Sequence, residues 1–209
     1  MHPFLIKMGV RPEVVDFFSP FFTTDEDKNL CFAYGSQTER YGMAFHHIPS
    51  SEILWIAGEI NFSAVRQVFI SATALDAIAW LHLNYSAFST TDNILFLSTG
   101  LLPNAQQFSW ISKNLSLKDI CLIFGNDIFG KISDLIMAAG ICNIPIAIYL
   151  EEDKLNVQYR FKSFSFPIDN FSLNAFERKS GSYLRVKTDK PKYHNSWLEV
   201  LSAPAFNNY

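Results

Sequence analysis

Between Gln67 and Tyr149 the chain breaks into four short, continuous apolar runs: Gln67-Val-Phe-Ile-Ser71, Asn93-Ile-Leu-Phe-Leu-Ser98, Ile120-Cys-Leu-Ile-Phe124 and Ile144-Pro-Ile-Ala-Ile-Tyr149. A strand with one wet face alternates apolar and polar residues; a strand covered on both faces does not. Runs of this kind therefore mark a parallel sheet sandwiched between helices. The spacers agree. Thr73-x-x-Asp76 resembles a capping box and opens a helix with Leu75, Ala77, Ile78 and Leu81 at helical spacing, so that Asp76 has a structural reading. Asn126 and Asp127 open another, with Ile128, Ile132, Leu135, Ile136 and Ala139 on one stripe and Gly140 as its stop. Right-handed crossovers then bring the loops after the first and third strands together at the carboxyl edge, where open sheets bind ligands.

Outside this α/β core, residues 1–66 read as a leader subdomain. A helix starts at Pro12, and strands at Leu30–Tyr34 and Gly42–His46 form a hairpin. Residues 67–150 form the core, and residues 151–209 an α+β extension with a strand at Val157–Phe161, a helix near Ser172–Phe176 and a last helix near Trp197. With 49% hydrophobic and 18% charged residues among 209, the chain can bury enough surface to offset its ordering entropy. No run of eighteen residues is free of strongly polar side chains and no signal peptide opens the chain, which predicts a cytoplasmic protein without a membrane partner.

Few motifs carry chemistry. Cys31, Cys121 and Cys142 lie far apart in apolar surroundings, as buried hydrophobes do. His46 and His47, adjacent on a strand, point to opposite faces. No G-x-S-x-G or G-x-G-x-x-G phrase is present. Gly125-Asn126-Asp-Ile-Phe-Gly130-Lys131 has the spacing of a phosphate-binding loop between strand and helix. However, Ile132 replaces the hydroxyl that would hold Mg²⁺, and Asp127 brings a carboxylate into a loop meant for phosphate. The net charge of −3 argues against indiscriminate nucleic-acid binding, yet Arg178, Lys179, Arg185, Lys187, Lys190 and Lys192 face a single acid, Asp189, in one stretch. Arg185 and Lys187 share one face of an expected strand, and Tyr183 and Tyr193 supply aromatic surface for stacked bases.

Read together, Val68-Phe-Ile-Ser-Ala72-Thr-Ala-Leu-Asp76 and Phe124-Gly-Asn-Asp127-Ile-Phe-Gly130 resemble the Toprim family, the catalytic domain of bacterial primases and topoisomerases. In that family the first strand ends in Glu, four residues before a helix-opening Asp, and the third ends in Asp-x-Asp with Gly three residues on. Asp76, Asp127 and Gly130 match; Ala72 and Gly125 stand where two of the three metal-ligating acids belong. Phe4–Phe17 resembles the leader helix of primases and of primase-like proteins on bacterial mobile elements, and Asn195-Ser-Trp197-Leu-Glu is similar to their Lys-Asp-Trp-Asn phrase, with Ser196 and Leu198 as departures.

The resemblance implies a Toprim-like four-stranded parallel sheet with flanking helices, a small leader and a C-terminal α+β extension. It also implies a partner: nucleic acid, or a replication or mobilisation protein. A Toprim site gathers carboxylates around Mg²⁺, and Asp127 alone holds that ion poorly. The expectation is a non-catalytic Toprim-like protein that binds DNA or a replication partner, with no cofactor. Three readings stay open beside it. One is a Mg²⁺-dependent phosphotransfer enzyme or nuclease using Asp127 and Asp76 with a third acid among Glu59, Asp92 or Asp169; another is a nucleotide-binding module at Gly125–Lys131; the last is a protein-interaction scaffold.

Overall fold

The structure is a computed structural model that describes residues 2–116 and 118–203. Helices Pro3–Lys7 (α1) and Pro12–Phe18 (α2) each begin on proline, which needs no intrahelical N–H there. Strands Thr23–Thr24 (β1), Leu30–Tyr34 (β2), Gln37–Tyr41 (β3) and His46–His47 (β4) form an antiparallel sheet in that order. The hairpin is tighter than the sequence suggests. Its return arm is Gln37–Tyr41 rather than Gly42–His46, because Gly35, at φ 64°, lets a two-residue turn close it early.

The core elements follow as Ser50–Gly58 (β5), Gln67–Ser71 (β6), Ala74–Asn84 (α3), Ile94–Gly100 (β7), Ala105–Leu115 (α4), Asp119–Leu122 (β8) and Ile128–Ile141 (α5). The chain continues through Ile146–Glu151 (β9), Lys154–Tyr159 (β10), Lys162–Pro167 (β11), Leu173–Ser180 (α6), Lys187–Thr188 (β12) and Trp197–Ser202 (α7). The central sheet has the order β12-β8-β6-β7-β5. β6 runs parallel to β7 and β8, and β12 parallel to β8, while β5 is antiparallel to β7.

This corrects the expected sheet of four parallel apolar runs. The fourth run, at 144–149, never enters it; as β9 it pairs antiparallel with β10, in a separate sheet of order β11-β10-β9. A two-residue turn at Glu152-Asp153 offers β9 a neighbour at small loop-closure cost, and β12 takes the outer edge of β8 that a crossover would have had to reach. The result is a mixed α/β fold whose central sheet draws β5 from the leader and β12 from the extension.

Both faces of the sheet are covered, which is why its strands lack alternation. On one face Phe69, Phe96, Trp55 and Ala57 meet α2, α3, α7 and β2. Phe96 lies 5.2 Å from the rings of both Phe18 and Phe69, contacts that add about 1 kcal/mol each to simple burial. On the other face Val68, Ile70, Leu95, Leu97 and Leu122 meet α4, α5 and the β9–β11 sheet. No described helix is long and apolar enough to cross a membrane.

Candidate functional site

Because β6 lies between β7 and β8, the loops that leave β6 and β8 are neighbours at the carboxyl edge, as the crossover rule requires. In the first loop, Thr73 is the N-cap of α3: its Oγ1 accepts from Asp76 N at 3.0 Å and donates to Asp76 Oδ2 at 2.9 Å. Asp76 Oδ1 faces away from its own helix and accepts from Leu198 N, at the start of α7, at 3.0 Å. Asp76 is thus buried with both oxygens engaged, and burial raises its pKa.

In the second loop, Asp127 is the exposed N-cap of α5, and its Oδ1 accepts from Gly130 N at 2.6 Å. A carboxylate of the chain therefore occupies the helix N-terminus that a phosphate loop would offer to its ligand. The other loop groups are committed as well. Asn126 N donates to Asn195 O at 2.8 Å and Asn126 Nδ2 to Pro191 O at 3.1 Å, while Lys131 N closes the first turn on Asp127 O.

The segment from Pro191 to Leu198 forms a strap across the two loops. Trp197 is buried with its indole N–H donating to Ile123 O at 2.9 Å. A Cβ on Gly125 would overlap the Asn195 carbonyl oxygen, so backbone from the strap fills the space an acidic side chain at 125 would need. Ala72 packs its methyl against the core, and its carbonyl accepts from Gly100 N. The Mg²⁺ that a Toprim resemblance implies therefore does not fit these residues: Asp76 is turned to the strap and Asp127 to its own helix. Among the described residues no three His, Cys, Asp or Glu side chains form a group that could hold a metal ion.

Lys190 anchors the strap. Its ammonium, expected on a nucleic-acid surface, is instead drawn inward, 2.6 Å from Asp134 Oδ2 on α5 and 3.0 Å from the carbonyls of Phe124 and Gly125. Burial lowers the Lys190 pKa and pushes Asp134 up to about 7; Asp134 Oδ1 is buried without a partner. Beside Lys190, Asp189 Oδ2 accepts from Trp80 Nε1 at 2.8 Å.

The remaining cations stay outside. Lys179 Nζ donates to Ser165 O at 2.6 Å and lies over the Phe166 ring, Lys187 is 3.7 Å from Asp119, and Arg178, Arg185 and Lys192 are exposed, as are Tyr183 and Tyr193. Arg185 and Lys187 do not share a strand face, because Arg185 has φ 57° and β12 begins only at Lys187.

Sequence reasoning missed the most deeply buried acid at this edge. Glu39, fully buried on β3, accepts from Tyr34 OH at 2.7 Å and from Ala74 N, at the start of α3, at 2.8 Å; its other oxygen lies 2.9 Å from His46 Nε2. A carboxylate against a helix N-terminus is well placed electrostatically. Glu39, rather than Glu59, Asp92 or Asp169, is thus the third acid near Asp76, but its oxygens are already taken. Burial and the Glu39 charge raise the Tyr34 pKa well above that of free tyrosine. Nothing in Gln37-Thr-Glu-Arg-Tyr41 marks this role. Asp134 did leave a signal: it is the sole charge among residues 132–139.

Compared with known proteins, the chain matches no family model, no curated protein and no solved structure.

Proposed function

We propose that this chain is a non-catalytic, Toprim-like binding protein of the primase and mobile-element type, whose ligand is nucleic acid held outside the carboxyl edge. The observation that carries this reading is the strap: residues 191–198 lie where a Toprim active site would gather its acids and its metal, and each matched acid serves the fold. With the edge closed, the free chemistry lies beside it, in the exposed Arg178, Arg185, Lys187 and Lys192 with Tyr183 and Tyr193. Cations flanked by aromatic rings suit a phosphate backbone with stacked bases.

The test is a titration of labelled single-stranded and duplex DNA at about 50 and about 200 mM salt, with Mg²⁺ or with chelator. Metal-independent binding that weakens with salt is the expected result, and replacing Arg185, Lys187 and Lys192 by Ala should flatten the salt slope by about three charges' worth. Binding that needs Mg²⁺, or none at either salt, would turn attention to an enzyme or a protein scaffold.

A further inference from the structure

The two turns of the small β9–β11 sheet carry opposite charge. Glu151, Glu152 and Asp153 gather at the β9–β10 turn; at the β10–β11 turn Arg160 and Lys162 flank Phe161, and residues 155–168 contain no acid. The second turn is also built against local preference. Tyr159 pairs with Lys162, so Arg160 and Phe161 are the two central residues, and both have positive φ, 48° and 63°. Asn-Gly meets that requirement with little strain, whereas a bulky ring held there is strained. The strain secures no packing, because Phe161 is fully exposed. Strained backbone of this kind collects at positions that contact ligands.

Beside this turn, where β9 begins, lies a cavity of about 790 Å³. Arg160, Phe161 and Lys162 line it, and no described acid does. Asn143 and Gln158 line it too, and their side-chain amides offer both donors and acceptors. The Arg160 guanidinium lies 5.0 Å over the ring of the buried Tyr159, which holds one of the two cations in place. Cations, an exposed ring and amides together suit a ligand that is anionic, flat and able to hydrogen-bond. A unit of single-stranded nucleic acid meets all three demands with its phosphate, its base face and its base edge. A duplex keeps its bases stacked on one another, and a lone ring offers too little apolar area to hold a membrane.

We propose that the β10–β11 turn is a stacking site for single-stranded nucleic acid: Phe161 stacks on one base, Arg160 and Lys162 hold the flanking phosphates, and Asn143 and Gln158 contact the base edge. The proposal rests on the reading of the chain as a nucleic-acid-binding protein, and adds to the cations named there a site that selects single strands over duplex. The site is continuous with that basic stretch. Lys179 Nζ donates to Ser165 O on β11, three residues beyond Lys162 and so about 10 Å along the strand, and Arg178 adjoins it on α6.

Fluorescence anisotropy with a labelled thymidine oligonucleotide and with a duplex of equal length tests this, with thermal melting to verify that each variant is folded. The wild-type chain should bind the single strand more tightly than the duplex. Phe161→Ala should weaken single-strand binding about tenfold and duplex binding far less, and Phe161→Trp should retain it. Arg160→Ala and Lys162→Ala should each reduce the salt slope by about one charge's worth, while Lys154→Ala, at the acidic end of the sheet, should leave binding unchanged. Arg160→Asn combined with Phe161→Gly should abolish the preference for single strands yet raise Tm by about 2–4 °C, which a merely structural role for the turn would not produce. Single-strand binding indifferent to Phe161→Ala overturns this proposal and leaves the cationic surface standing; if neither oligonucleotide binds, both readings fall. Binding to anionic phospholipid vesicles that requires Phe161, with single-strand binding indifferent to it, overturns the proposal in favour of a membrane contact.

Discussion

Asp76 and Asp127 stand at corresponding places, each in a loop that leaves a parallel strand for a helix, and they have been put to opposite uses. Asp127 is exposed and acts locally, capping α5 through Gly130 N. Asp76 is buried and acts at a distance, holding the start of α7 through Leu198 N. The two loops have the same chemistry in sequence; what separates them is the strap, which lies over one carboxylate and beside the other. An aspartate after a parallel strand is thus a prompt for function only when the chain leaves its oxygens free.

The contrast can be broken most forcefully at Gly125. Gly125→Asp, which puts an acid at this position, drives a Cβ into the Asn195 carbonyl and should cost about 3 kcal/mol in urea denaturation, with the strap the first part to lose hydrogen-exchange protection. Asp76→Ala should cost about 2 kcal/mol, because it leaves Leu198 N and the Thr73 hydroxyl without their acceptor. Asp127→Ala, the loss of an exposed helix cap, should cost only about 1 kcal/mol, and Asp127→Asn less still. If the two alanine variants prove equally costly, the distinction between a local and a distant role fails.

A separate effect is in pH. Asp134, pushed up to about 7 by burial, keeps its proton in the folded chain at pH values where the unfolded chain has released it. The folded state therefore binds more protons between about pH 4 and about 7, and stability contributed by this group declines as pH rises through that window. Asp76, also raised by burial, adds in the same direction. Asp25 is lowered, chiefly by its hydrogen bond to Arg40, so its contribution is full above the unfolded value near 4 and is lost as pH falls below it. Lys190, lowered by burial, makes stability rise with pH in the alkaline range beneath its unfolded value. Burial lowers the pKa of His2 and His82, which makes stability rise with pH below their unfolded value, so the test is the difference: urea midpoints followed from pH 4.5 to 7.5 should fall relative to those of Asp134→Asn as pH rises.

What the sequence determined by itself were features written within a few residues. The runs at 67–71, 93–98 and 120–124 became β6, β7 and β8 because continuous apolarity reports cover on both faces, and Thr73, Asp127 and Ser172 cap helices because capping needs only a side chain and an amide about three residues apart. Even the adjacency of the loops after β6 and β8 followed from crossover handedness. Tertiary structure decided the rest. Ile144–Tyr149 reads like its three predecessors, yet the competition between a nearby hairpin partner and a distant sheet edge sent it away from them. Ser50–Gly58 entered the sheet, Glu39 was sunk against α3, and Lys190 went inward to Asp134 rather than outward to solvent, through contacts 35, 56 and 66 residues apart at Ala74, Asp134 and Phe124. Periodicity cannot encode such pairings, because they depend on which surfaces remain uncovered once the local elements have formed.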